Sequence, residues 1–451
     1  MKDKFGLIRA AMVWMLLFGG YLQYVRADQP QGIMEITLDE AMRLAKELNP
    51  TLRIAQMEIE RANVGVDVVR GRFLPSLSIS GSYTRNIKTP VIFLPPGSPF
   101  GDVLEIGSDN SYMATIVAGM PVFNPALNAA LQTAIAERQL EGETLRASQL
   151  ELEFFVFSAF IDALLAKESK DVMQRSIDQA TMSLEMVQSM QAQGLASEFD
   201  LLRARVQVEN LRPTLLQAQN GHKAAINYLR ALMGLNQEQE IALVGNLDQL
   251  AEKTLSQFSL NNAQRSLSRN PDLVRLDLQR AVLDRQAQSI RASGLPSLAV
   301  STNYNFQTEA NDFNFADYRW VRTSAAGLRL TIPIFSGFTV RNQARQLELA
   351  SQQMELQRDY LSQTLAIQLE TLLNTMMVAR QKAQTASETV GMAHRGYEIA
   401  LVRYNTGQGT LLELNDSELA LTQSRFNQIQ AEHEFLRTLA EYRRFIGEQK
   451  L

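Results

Sequence analysis

Two periodicities organise this chain. Leu150, Phe154, Phe157, Ile161 and Leu164 step by four and three residues, the heptad spacing of supercoiled helices. Leu365, Leu369, Leu372 and Met376 repeat it later in the chain. Residues 126–193 contain no proline and only Gly142 as a weak point, which predicts one helix from Pro125 to about Gln193, and its copy runs from Thr339 to Asn405. At a rise of 1.5 Å per residue each helix extends roughly 100 Å. A rod is predicted rather than an ordinary globule. Asn405-Thr406-Gly407-Gln408-Gly409 and Gln193-Gly194-Leu195-Ala196 then break the pattern, and further helices over 198–233 and 410–446 return alongside. Two helical hairpins result, turning at the same end.

The second period is two. After Pro75, Leu77, Ile79, Gly81 and Tyr83 alternate with Ser76, Ser78, Ser80, Ser82 and Thr84, and later Leu298, Val300, Thr302, Tyr304 and Phe306 alternate with Ala299, Ser301, Asn303 and Asn305. Strands are also predicted after Ser111 and after Tyr318, the last setting Leu328, Leu330 and Ile332 against Gly327, Arg329 and Thr331. About ten residues with one apolar and one small polar face suit a tilted strand with lipid on one side and water on the other. The same alternation occurs in soluble sandwiches. Export, the absence of cysteine and the giant helices together favour the membrane. Tyr83, Tyr112, Tyr304, Tyr318 and Trp320 suit interfacial aromatic belts, while Arg322 shares parity with Trp320 and interrupts the apolar face. Four strands cannot close a membrane barrel, which needs about eight, and open edges in hydrocarbon leave backbone groups unpaired. Several chains must share one barrel.

The chain is also duplicated. Asn49-Pro50-Thr51-Leu52 returns as Asn270-Pro271-Asp272-Leu273, and Leu74-Pro75-Ser76-Leu77 as Leu295-Pro296-Ser297-Leu298, both at an offset of 221. Pro121-Val122-Phe123-Asn124 returns as Pro333-Ile334-Phe335-Ser336 at 212, and Gly194 and Gly234 return as Gly407 and Gly447 at 213. The extra residues of the first half fall near 91–99, whose proline and glycine predict a loop. Thr37-Leu38-Asp39-Glu40 has the capping-box form and opens the first helix. The expected organisation is a first repeat over 28–234, a connecting segment over 235–269, a second repeat over 270–447 and a short end at 448–451.

Composition narrows the function. The 451 residues are 45% hydrophobic and 20% charged and include no cysteine, so disulfides and thiol chemistry are excluded. Lys2, Lys4 and Arg9 precede a short apolar run from Ala10 to Gly20, and Val25-Arg26-Ala27 offers small residues for cleavage before Asp28. Residues 1–27 therefore read as a secretory signal peptide. The formal net charge of −4 becomes more negative without this leader, against a nucleic-acid partner.

The paired Asn-Pro-x-Leu helix openings, Leu-Pro-Ser-Leu strand openings, Pro-Val/Ile-Phe strand ends and turn glycines resemble the outer-membrane efflux protein family, the TolC-like channel-tunnels of Gram-negative bacteria. The resemblance covers about Ile36 to Gly447. It implies an α+β fold in a homotrimer, whose long antiparallel helical hairpins form an α-barrel across the periplasm. Four strands per chain would form a shared twelve-stranded transmembrane β-barrel. Residues 235–269 with the chain ends would belt the tunnel at its equator. It also implies a passive exit duct in outer-membrane lipid, serving an inner-membrane pump through a periplasmic adaptor, in efflux or type I secretion. The rival reading is an exported coiled-coil scaffold without a pore.

No catalytic constellation is present, and neither an enzyme nor a bound cofactor is expected. His222, His394 and His433 lie far apart and read as solvated helix residues rather than metal ligands. Met182, Met186 and Met190 form a stripe suited to a packed seam, with soft-metal transfer as the sharper alternative. At the second turn, Glu413 and Asp416 stand three apart on one helix face. On the residues alone they read as exposed helix-start carboxylates favoured by the dipole. The resemblance implies more: Glu413 and Asp416 match an acidic ring at the periplasmic entrance, and Tyr404 and Asp200 match a pair that holds the entrance closed. A phenol-to-carboxylate hydrogen bond is expected of that pair. Gly409 falls where some members carry an arginine linking protomers.

Overall fold

The computed structural model describes residues 33–257 and 266–448; the leader expected over 1–27 lies outside them. The first strand, β1 (Met34–Ile36), leads to helices α1 (Leu38–Leu48) and α2 (Pro50–Gly71). Strands β2 (Ser76–Arg85), β3 (Val91–Phe93), β4 (Val103–Glu105) and β5 (Asn110–Phe123) follow. The hairpin of α3 (Pro125–Ala192) and α4 (Glu198–Leu232) completes the first half. After β6 (Ile241–Leu243) and α5 (Leu247–Gln257), the second half comprises α6 (Pro271–Ala292), β7 (Ser297–Ala310), β8 (Val321–Thr331), α7 (Thr339–Asn405) and α8 (Leu411–Ile446). Among the described residues no helix is long and apolar enough to cross a membrane.

The duplicated Asn-Pro has a physical reason. Asn49 Oδ1 accepts from the backbone amides of Thr51 and Leu52 at 2.9 and 3.2 Å, capping α2 while Pro50 occupies its first turn. Its Nδ2 donates to the Leu232 carbonyl at 2.8 Å, tying the start of α2 to the end of α4. Asn270 repeats the joint, accepting from Asp272 and Leu273 and donating to the Phe445 carbonyl at 2.8 Å. Gly234 and Gly447 close the two joints with φ of 73° and 76°, and a Cβ on Gly234 would lie 2.7 Å from the Leu48 carbonyl oxygen. Thr37 caps α1 by accepting from the Glu40 amide at 3.3 Å, but the Glu40 carboxylate takes Arg43 at 2.6 Å instead of completing the box.

The four long strands form one antiparallel sheet in the order β2-β5-β7-β8, leaving β2 and β8 as edges. Its register sets Leu77 opposite Ala118, Ile79 opposite Ile116 and Tyr83 opposite Tyr112, and continues through Ile116 with Tyr304 and Val300 with Leu328. One face is therefore apolar across all four strands, while Thr115, Asn305 and Thr323 align on the other. Two strands reach 14 residues rather than about ten, because pairing continues through polar residues toward the loops. Arg322 stands opposite Phe306, whose ring stacks on Trp320 at 4.5 Å, and the guanidinium lies 5.7 Å from the Phe306 centroid. The charge on the apolar face is met by an aromatic ring. The proline-rich stretch read as a loop contains a short hairpin, β3 with β4, because Val91-Ile92-Phe93 and Val103-Leu104 favour extended pairing.

The core lies midway along the helices. β1 pairs in parallel with β6, and Ile36, Leu44 and Leu247 pack with Phe157, Ile161, Leu229 and Phe435 in one buried cluster. Of the connecting segment, Leu243, Leu247 and Ala251 join this cluster. Two of the three histidines are less solvated than expected: His433 Nε2 lies 2.5 Å from Asp162 Oδ1 across α8 and α3, and burial depresses the His222 pKa, while His394 is exposed. Long helices bring polar residues into contact across neighbours remote in sequence, which single-helix periodicity does not reveal.

Candidate functional site

The two hairpin turns lie together because both hairpins pack side by side, α3 against α4, α7 against α8, and α3 against α8. Each turn follows from local chemistry. α3 ends at Gly194, whose φ of 75° lets the Leu195 amide reach the Met190 carbonyl at 2.8 Å. α7 ends likewise at Gly407 with φ 72°, and the Gln408 amide reaches the Arg403 carbonyl at 2.8 Å. Ser197 then caps α4 in a reciprocal box with Asp200, and Thr410 caps α8 by accepting from the Glu413 amide at 3.2 Å.

The structure separates the sequence-expected residues into three environments. Glu413 and Asp416 are both exposed on the first turns of α8, open to solvent or to another chain. Asp200 has its carboxylate committed to the cap, with Oδ2 accepting from Ser197 Oγ at 2.7 Å and from its backbone amide at 3.3 Å. Tyr404 is buried among Val187, Ala204, Tyr397, Leu411 and Leu414, which join both hairpins. Burial, and then the nearby Asp200 charge, raise its phenol pKa above the ordinary value. Among the described residues no hydrogen bond joins Tyr404 to Asp200. Ring packing and an unbonded electrostatic interaction stand where that bond was expected, while one oxygen of the Asp200 carboxylate serves the helix cap.

Two residues escaped the sequence reading. Arg403 donates from Nη2 to the Gln408 carbonyl at 3.1 Å and faces Glu413 Oε2 at 3.6 Å. It fills the space beside Gly409, where a Cβ would come within 3.1 Å of Arg403 Cβ and 3.2 Å of Glu413 Oε2. The turn therefore has its own arginine, six residues before the position where one was missed.

The second is Glu418. Leu411, Leu414, Glu418, Leu421, Arg425, Gln428, Glu432, Phe435, Leu439, Tyr442 and Ile446 step by three and four along α8, all buried but the half-buried Arg425 and Gln428. Glu418 is only 2% exposed, and neither carboxylate oxygen has a hydrogen-bond partner. Burial raises its pKa to about 7. Glu432, two heptads on, accepts from Gln428 through Oε1, leaves Oε2 unpaired and is also pushed up to about 7, first by burial. The signal was present in the sequence as acidic residues on an unbroken heptad seam. The expected methionine seam is mixed: Met186 and Met190 pack against the cluster around Tyr404, while Met182 is exposed.

The chain matches the outer membrane efflux protein family over residues 41–235 and 262–448. Among curated relatives, the cobalt-zinc-cadmium resistance protein CzcC of Cupriavidus metallidurans is 26% identical over 399 residues, covering 86% of this chain and 85% of that protein. The alkaline protease secretion protein AprF of Pseudomonas aeruginosa is 24% identical over 455 residues, covering 98% and 89%. The crystal structure of the Campylobacter jejuni CmeC outer membrane channel superposes with a TM-score of 0.73 at 16% identity, covering 92% of this chain and 87% of that one. The open-state Neisseria gonorrhoeae MtrE outer membrane channel gives 0.69 at 18% identity, covering 91% and 89%.

Proposed function

The chain belongs to the outer membrane efflux protein family and serves as a bacterial outer-membrane exit duct for efflux or secretion, and we propose that three copies build that duct. Each contributes four strands to a twelve-stranded β-barrel in outer-membrane lipid, and its hairpins to an α-barrel reaching into the periplasm. The observation that carries this reading is the sheet: four strands with one largely apolar face and two open edges, β5 running straight into a 68-residue helix and β8 reaching a 67-residue helix through a short loop. Edges of that kind are stable in hydrocarbon only when a neighbouring chain pairs them. The segment around β1, β6 and α5 forms the equatorial belt. An inner-membrane pump loads the duct through a periplasmic adaptor, and the duct itself does no chemistry.

In this reading the hairpin turns form the periplasmic entrance. Asp416, and Glu413 beside Arg403, face the axis, where threefold symmetry gathers six carboxylates against three guanidiniums and attracts cations. Tyr404 closes the entrance by packing the second hairpin onto the first, and Asp200 fixes the adjoining helix start. Gly194, Gly407 and Gly409 let the turns stay tight, with Arg403 bracing the second. Cation selectivity tests the assignment: Glu413→Ala with Asp416→Ala lowers the preference for cations in planar bilayers, read as a reversal potential in a salt gradient. Identical reversal potentials for variant and wild type would place these acids away from the pore.

A further inference from the structure

The loop from β8 to α7 sets exposed apolar side chains beside a cluster of arginine. Past Thr331 the alternation continues: Leu328, Leu330, Ile332 and Ile334 share one parity, all exposed, Ile334 at 95%. Ile332 and Ile334 thus add exposed apolar side chains just past the last strand. Phe335 and Phe338 stand next to it, 74% and 60% exposed, their rings edge to face at 5.4 Å. Phe338 has φ 61°, the one non-glycine residue among those described in the left-handed region. A bulky side chain there is strained, so the loop holds this ring outward at a conformational cost.

Ile334, Phe335 and Phe338 line a groove of about 660 Å³ together with Arg291 of α6 and Arg341 and Arg345 of α7. Glu348 pairs with both Arg291 and Arg345. Arg341 has no ion-pair partner among the described residues. Three guanidiniums against one carboxylate leave the groove cationic. The fold itself does not require them: at the offset of 212 the first half has Ala129 and Thr133 where Arg341 and Arg345 stand.

We propose that this groove seats an anionic phospholipid from the leaflet next to the helices, its phosphate at Arg341 and Arg345 and its acyl chains along Ile334, Phe335 and Phe338. The proposal rests on the outer-membrane barrel described above. Charge complementarity selects an anionic headgroup, and continuity with the apolar sheet face selects a lipid over a soluble anion, which would leave the aromatic wall unused. Each basic side chain near an anionic lipid surface strengthens attachment about fivefold.

The full-length oligomer, extracted in mild detergent, is mixed with phosphatidylglycerol or phosphatidylcholine and weighed by native mass spectrometry. Retention of phosphatidylglycerol exceeds that of phosphatidylcholine. Arg341→Gln lowers phosphatidylglycerol retention about fivefold and Arg341→Gln with Arg345→Gln about twenty-five-fold, with phosphatidylcholine unaffected. Phe335→Ser lowers retention of both lipids. Equal retention of the two lipids, or indifference to the arginine changes, overturns the proposal. So does displacement by millimolar inorganic phosphate, which would mark a free-anion site. Loss of the oligomer in Arg341→Gln also overturns it, since the groove would then be a contact between protomers. Fractionation of the wild type is done first: absence from the outer membrane would sink the barrel reading, separately from these outcomes.

Discussion

Glu418 sets an acidic group between Leu414 and Leu421 on its seam, and it makes stability depend on pH. Its neighbour from α7 is Tyr397, whose phenol pKa is raised by burial and then by the Glu418 charge. The carboxyl rises from 4.5 to about 7 on packing, so the packed state binds the proton more tightly than the unfolded chain. The full contribution of a neutral Glu418 is present below 4.5 and is lost as pH climbs through 7. Between pH 5 and 8 the wild type should lose on the order of 3 kcal/mol relative to Glu418→Gln, read from denaturant midpoints at each pH. Parallel midpoints for the two proteins would show that the carboxylate is hydrated. Tyr404 gives a second test at this scale. With no bond to Asp200, Tyr404→Phe should conduct like wild type. Tyr404→Ala removes the packed ring, costs about 3–5 kcal/mol of hairpin packing and should raise single-channel conductance. Equal opening by both variants would show that the hydroxyl, not the ring, holds the entrance.

Among the elements, the two asparagine joints explain why so short a motif is duplicated. Each side chain caps a proline-started helix and holds the last turn of a return helix, so no other residue of similar size meets both demands: aspartate lacks the donor, and leucine lacks everything polar. Asn49→Asp should keep the cap and lose the bond to Leu232, costing about 1 kcal/mol, and Asn49→Ala should cost about 2 kcal/mol. Asn270 should repeat these values, measured by chemical unfolding, because its bonds match those of Asn49 within 0.2 Å. A neutral result at either site would mean that water replaces the side chain and the joint is looser than its geometry. The glycine that closes each joint is as constrained, since Gly234 has the Leu48 carbonyl where a Cβ would go.

For the whole molecule, the open edges of the sheet decide the assembly. The cysteine-free chain gives a clean background for linking β8 of one copy to β2 of the next. Ser80→Cys and Ala325→Cys lie on the polar face of the two edge strands, and a short bifunctional maleimide should convert the monomer band into dimer and trimer bands with none larger. Reaction only within one chain would show that the sheet curls on itself, and bands beyond three would call for a larger ring. The long helices carry the same logic in the proposed trimer: the seam between hairpins is built within the chain through Tyr404 and Leu414, and neighbouring copies would complete it at the exposed edges.

Local periodicity fixed the elements here, because a period of 3.5 or 2 states which face of a segment is apolar without reference to anything else. Helices α3 and α7 end within a residue of their expected limits, and the duplication located the turns, since glycine with positive φ is a local requirement. The apolar face of the sheet was legible for the same reason. What only the tertiary structure decided was the partner of each polar group. Tyr404 packing across both hairpins, His433 meeting Asp162, and Glu418 lying dry in its seam all depend on how far one helix slides along another. A period gives the face and not the register. Register is set by the sum of many packed side chains and by the asparagine joints, and that sum exists only once the hairpins have closed.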